Sequence, residues 1–243
     1  FNFGYNGIAI HTIGNDSWTL TGNNIYNVTP AASVIKGIYM DGGGTNVITD
    51  NFIHDLLNNG LTSDGIYARG PSTTTIARNL ITAFDVNVAT TFYGIRMFGS
   101  ADTTNNVVNN QIILMPTAST SSTMYGIYTS NSNAYYNSIV LGGTESGAAS
   151  SWACYCRDSA IFIARNNLFL NLRTGGAGNH FAVGSEGTPG NIIASHNVYA
   201  GTGVTVATDF MDYSNTVGTA VPVDFATWQS STGDTNSQAG IAG

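Results

Sequence analysis

The sequence predicts an all-β solenoid of about seven stacked coils, each 27–32 residues long with three short strands. Two markers keep one period. A Gly-Ile-Tyr-like opening falls at Gly7, Gly37, Gly65, Gly94, Gly126 and Ala153, with a degenerate seventh at His180. An Asn followed two residues later by an apolar residue falls at Asn23, Asn51, Asn79, Asn110, Asn137 and Asn166, with His196 in the seventh place. Self-similarity at this spacing is the signature of a repeat architecture. Within the unit Gly37 to Leu56, the runs GIYM, NVIT and FIHD are β-rich and are separated by Gly, Asp and Asn, so no helical period fits.

One coil is too small to bury a core by itself. Coils piled ~4.8 Å apart share backbone hydrogen bonds and fill a common interior. On these repeats the chain resembles the right-handed parallel β-helix of the pectate-lyase-like superfamily, in particular the bacterial secreted or cell-surface parallel β-helix repeat proteins, over roughly residues 7 to 200. The resemblance implies a right-handed coil, export from the cell, and a glycan-binding surface on the outside of one parallel sheet. It implies no single activity, because the superfamily includes lyases, hydrolases, phage tailspikes and adhesins.

With 243 residues, of which 9% are charged and 29 are Gly, the chain suits one solenoid domain over 1–243, with regular coils to about 200 and an irregular closing segment over 201–243. A net charge of −7, with Lys36 and six Arg as the cations, argues against nucleic acid and anionic membranes, which need clustered cations. No apolar run is long enough for a membrane span. The chain starts at Phe1 in mid-pattern, which predicts a piece of a longer exported protein. Phe1, Phe3 and Tyr5 are expected to cap the first coil.

Strand alternation sorts each coil into inside and outside. The inward columns are expected to be Ile8, Ile38, Ile66, Ile95, Ile127, Cys154 and Phe181 on the first strand, then Ile10, Met40, Ala68, Met97, Thr129, Cys156 and Val183 two residues on. The second strand contributes Leu20, Ile48, Ile76, Val107, Ala134, Ile163 and Ile193, and the third Ile25, Ile53, Ile81, Ile112, Ile139, Leu168 and Val198. The Asn column is expected to sit in the turn, tolerate left-handed backbone and fix coil register by a side-chain ladder. Cys154 and Cys156, at i and i+2 on one strand, read as buried thiols and not as a disulfide or a metal pair.

Function must lie on the outward faces. The first strand places Tyr39, Tyr67, Arg96, Tyr128 and Tyr155 in one column and Asp41, Arg69, Phe98 and Arg157 in the next, beside a small column of glycines expected to floor a shallow track. Aromatic rings stack on sugar faces and Arg pairs with uronate carboxylates, so these nine residues form a candidate polysaccharide surface. Catalysis is less well provided for. Hydrolysis needs two carboxylates, and metal-assisted β-elimination needs a carboxylate cluster with a base. On this face Asp41 stands alone, while Asp64 and Asp158 are placed at turns. An enzyme here would be a polysaccharide lyase centred on Asp41, Arg69 and Arg96, with Ca²⁺ as the cofactor in that case only. Otherwise no cofactor and no metal are expected.

On the third strand the outward column Tyr26, His54, Thr82, Ile113, Val140, Phe169 and Tyr199 turns apolar in its later half, where a loop or another chain would cover it. Self-association through the Ile113/Val140/Phe169 strip or through strand edges is therefore the second expected contact. The segment Val221 to Gly243 resembles the closing segment of the same secreted repeat proteins, with Phe225 and Trp228 plugging the end of the stack and the pattern lost after Gln238. The sequence therefore predicts an extracellular or cell-surface, non-catalytic module, stalk or adhesin-like, that meets extracellular polysaccharide along the Tyr/Arg track. The alternatives are a polysaccharide lyase and a structural spacer or filament subunit.

Overall fold

The computed structural model describes residues 2–3, 6–30, 34–58, 61–70, 73–82, 84–86, 91–99, 105–116, 121–157, 161–186, 192–201, 211–214 and 221–241. It is a parallel β-solenoid, 66% strand and 4% helix. Three parallel sheets run along the stack. The first begins at Asn6–Gly14 and continues through Val34–Gly42, Thr62–Arg69, Thr91–Phe98, Thr123–Ser130, Ser151–Cys156, His180–Glu186 and Met211–Ser214, and ends on an antiparallel strand, Pro222–Val223. The second, seven-stranded, runs from Thr19–Thr21 to Ile192–Ser195, and the third from Asn24–Ile25 to Gln238–Ile241.

The interior is a set of aliphatic ladders. Ile10, Ile38, Ile66, Ile95, Ile127, Cys154 and Val183 are register partners on the first sheet. Ile25, Ile53, Ile81, Ile112 and Ile139 face them from the third. Burying each such side chain contributes roughly 1.5–3 kcal/mol, which offsets the entropy of ordering short strands. Cys154 and Cys156 lie buried in this core and are not joined in a disulfide, as expected.

Both ends of the first-sheet assignment shift by two residues. Ala9 and Ala182, not Gly7 and His180, continue the glycine column, so Ile10 and Val183 take the inward places assigned to Ile8 and Phe181, and Thr12 and Ser185 follow them. In the last two coils the second and third strands shift by one. Ala164 and Ala194 point inward where Ile163 and Ile193 were expected, and Phe169 and Tyr199 where Leu168 and Val198 were expected. Because strands alternate, one residue of slip exchanges the two faces. The apolar strip outside the third sheet is accordingly Ile113, Val140, Leu170 and Ala200, and Phe169 is fully buried inside.

The Asn ladder is continuous but is displaced at its end. Backbone N–H and side-chain Nδ2 of Asn23 both donate to Oδ1 of Asn51, and the same two bonds repeat through Asn79, Asn110, Asn137, Asn167 and Asn197, where Ser237 Oγ accepts the last backbone bond. Asn167 and Asn197, not Asn166 and His196, occupy the last two rungs. The left-handed turn residue is the one before each rung: Gly22, Asp50, Arg78, Asn109, Tyr136, Asn166 and His196 all have φ between 55° and 69°. The ladder Asn thus holds the register, and its predecessor bears the strained backbone.

The closing segment retains part of a coil. Asp224 caps the helix Phe225–Thr232 by accepting from Thr227 N–H, and Gly233 ends it with φ 67°. Trp228 is 1% exposed and seals the core, with Phe225 packed against it as expected. The chain then returns to the stack. Ser237 joins the ladder and Gln238–Ile241 pairs with Val198–Gly201, so the repeat resumes where the sequence pattern was read as lost. Phe1, Tyr5 and Asp158 lie outside the described residues, as does the side chain of Phe3.

Candidate functional site on the first sheet

The outer face of the first sheet carries three columns, one more than alternation alone gives. Counting back from the inward Ile66, Gly65 ought to point out and Asp64 in. Instead the residues two before each glycine, Ile35, Phe92 and Met124, are core, and the residues just before it, Lys36, Asp64, Tyr93, Tyr125, Trp152 and Phe181, form a ladder on the outer face. The glycine breaks the alternation. A Cβ on Gly65 would lie 2.6 Å from Gly94 O and 2.8 Å from Ile81 Cγ2. The glycine column therefore faces the core and the next coil, and does not floor an outer track as expected.

The two columns that the sequence did place outside follow beyond the glycine. Tyr39, Tyr67, Arg96, Tyr128 and Tyr155 are register partners, with His11 before them and Gly184 after. Asp41, Arg69, Phe98 and Ser130 form the next column. Rings and cations interleave across the three. His11 stacks on Tyr39 and Tyr39 on Tyr67 with centroids 4.4 and 5.2 Å apart. Lys36 Nζ lies 4.9 Å from the centre of the Tyr39 ring, the Arg69 guanidinium 5.5 Å from the same ring, and the Arg157 guanidinium 5.3 Å from Phe98. Arg96 lies 4.7 Å from the Tyr67 ring centre, 4.6 Å from Tyr93 and 5.3 Å from Phe98.

Charge divides this face into two arrangements. Asp41 is closed: Arg69 grips it with Nε at 2.9 Å and Nη2 at 2.6 Å, and the Tyr39 hydroxyl donates at 2.8 Å. The Arg69 hydrogen bonds hold its carboxyl below the usual range, and Tyr39 is pushed up to about 12 by burial and by that same bond. Asp64 is the opposite case. It lies within a strand rather than at a turn, its side chain has no exposed surface, and neither carboxyl oxygen has a hydrogen-bond partner among the described residues. Arg96 Nη1 is 3.8 Å from Oδ1. Burial pushes the carboxyl up to about 7 against the opposing pull of Arg96 and Lys36, and burial lowers the Lys36 ammonium in turn. A carboxylate removed from water without donors favours its neutral form.

The later half of the face is packed shut. Trp152, Tyr155 and Phe181 form a second apolar cluster against Tyr125 and Tyr128. Asp212 accepts from Trp152 Nε1 at 2.9 Å, and Glu186 from the Tyr155 hydroxyl at 2.9 Å. Tyr155, placed by the sequence on the ligand track, is 5% exposed. The accessible part of the predicted set is thus about Tyr67, Arg69, Arg96 and Phe98, to which the structure adds the half-buried Lys36 and Tyr93 and, beneath them, the buried Asp64. Sequence reasoning left Lys36 and Tyr93 off this face and placed Asp64 at a turn. Their signal is the charged or aromatic residue that precedes Gly37, Gly65, Gly94 and Gly126, with an apolar or small residue before it.

Among the described residues, no three His, Cys, Asp or Glu side chains come together to hold a metal. No described helix is long and apolar enough to cross a membrane. A cavity of about 470 Å³ opens inside the first coil between Ile10, Ile25 and Val28, on the opposite side of the sheet from these columns. The fold and this face define the class as a parallel β-solenoid with a cationic-aromatic outer sheet. No protein-family model, no curated protein and no solved structure matches the chain.

Proposed function

We propose that the chain is a non-catalytic binding module for an acidic extracellular polysaccharide, held along the outer face of the first sheet between Lys36 and Phe98. One observation carries the reading: the Arg96 guanidinium is held between the rings of Tyr67 and Tyr93 with 25% of its side chain exposed, so a positioned cation on an aromatic surface is open to a ligand carboxylate. Lys36 adds a second cation one coil away from Asp64. The solenoid spaces these groups by one coil, ~4.8 Å, along the stack. Extracellular location and the bacterial repeat-protein family belong to the same proposal and rest on the resemblance in the coils and the closing segment.

The lyase reading loses its centre if Asp41 and Arg69 remain locked to each other, since neither then has a free site for a cation or a proton. Gel retardation with uronate-bearing, sulfated and neutral polysaccharides, read together with ultraviolet absorbance for unsaturated product, separates the readings. The binding module requires retardation by an acidic polymer without product, weakened about tenfold or more by Arg96→Gln and by Tyr67→Ala. Product that disappears in Arg69→Ala would replace it with a lyase, and no retardation by any polymer would leave a structural spacer.

A further inference from the structure

Asp64 is out of place in a surface that binds anions. It stands between Lys36 on the strand before and Tyr93 on the strand after, beneath Arg96, with no exposed surface. A structural carboxylate in this position would be expected to accept hydrogen bonds, as Asp41 and Asp50 do from Arg69 and Arg78. Among the described residues both Asp64 oxygens accept none, and the buried Arg96 Nε is left without an acceptor as well. The three groups are thus close enough to interact electrostatically and are not locked into a bonded pair.

We propose that Asp64 is a proton-linked counter-charge for the acidic ligand: protonated, it leaves Lys36 and Arg96 as two unbalanced positive charges for a sugar carboxylate, and ionised, it competes with that carboxylate for both. This inference rests on the binding function proposed above. The groups that act on Asp64 are Arg96 from the strand after and Lys36 from the strand before, with Tyr93 as its register partner; Arg69 acts in turn on Lys36, and Arg157 and Tyr67 on Tyr93. The buried carboxyl titrates at about 7, far above a sugar carboxylate, which stays ionised throughout that range. A bound anion raises the Asp64 proton affinity further, so binding takes up as much as one proton, and the proton enters from solvent without any bond to the ligand being made or broken.

The test is calorimetric titration of the full chain with a galacturonate oligomer across the range from about pH 5 to about pH 8.5, repeated in two buffers of different ionisation enthalpy. Affinity should fall by up to about tenfold per pH unit above the Asp64 midpoint, with net proton uptake, and Asp64→Asn should bind with the low-pH affinity of the parent at every pH. Binding with no slope and no proton uptake would overturn the proton link and leave the binding function standing. A slope that persists in Asp64→Asn would overturn Asp64 as the linked group. Absence of binding at every pH would overturn the binding function itself, and this inference with it. Should Asp64→Asn fail to give the β-sheet circular dichroism of the parent, the buffer dependence of the parent alone decides.

Discussion

Arg96 Nη1 stands 3.8 Å from Oδ1 of Asp64, the two adjacent in the stack, without a hydrogen bond between them. A carboxyl buried under a cation yet not bonded to it is costly in the folded state whenever it is ionised. Its folded midpoint, about 7, lies above the unfolded value of 3.8, so the native state holds the extra proton between the two. The contribution of Asp64 to stability is therefore greatest below about pH 4, falls as pH rises through the window to about 7, and is level above it. Replacing Asp64 with Asn should raise the melting temperature at about pH 8 and leave it nearly unchanged near pH 4. Asp212, raised to about 6 chiefly by burial, should keep a smaller slope in the variant below pH 6. Thermal denaturation of both proteins across this range checks the sign.

The ladder makes a paired prediction at adjacent residues. Asn167 is 2% exposed, donates through Nδ2 to Ala134 O and Asn197 Oδ1, and accepts two bonds from Asn137. Asn166, its neighbour, is exposed with φ 58°. Asn167→Ala should cost about 2–4 kcal/mol, because it strands the buried backbone and side-chain donors of Asn137 and takes a donor from Ala134 O and Asn197 Oδ1. Asn166→Gly should be neutral within about 0.5 kcal/mol, since glycine accepts a left-handed backbone. Urea denaturation of the two variants distinguishes the register described above from one in which Asn166 is the rung.

A Cβ at Gly65 would meet the backbone of the next coil and the side chain of Ile81. Gly65→Ala should therefore destabilise by about 1–3 kcal/mol, whereas the entropic effect of the same exchange in open strand would stabilise. Equilibrium unfolding measures it.

Trp228 seals the C-terminal end of the core and donates through Nε1 to Asp234 at 3.2 Å. Trp228→Ala should cost about 3–5 kcal/mol and expose the end of the core to self-association. Unfolding midpoints and light scattering report the two effects separately.

Most of the fold is legible in the sequence because two independent markers share one period, and the aliphatic columns of coils two to five follow from them. The errors have local causes. Ala9 and Ala182 stand where glycine would have marked the first and last openings, so Gly7 and His180 drew the alignment two residues away. The doublet Asn166–Asn167 offered the marker twice, and the wrong choice turned Phe169 outward and Leu168 inward. The site was half legible. Tyr67, Arg69, Arg96 and Phe98 follow from simple alternation beyond the glycine, but Lys36, Asp64 and Tyr93 lie on its other side, where the backbone break reverses the faces. Tyr155 is an outward position by alternation, and only the cover formed with Trp152, Phe181 and Glu186 reveals that it is buried.

The most direct measurement is a residue-resolved nuclear magnetic resonance map of the chain titrated with a uronate oligomer near pH 5. Binding along the first sheet requires perturbations that centre on the Arg96 guanidinium, the Lys36 side chain and the Tyr67 ring and fade toward Trp152. Perturbations centred on the second or third sheet, or none at saturating oligomer, would contradict it.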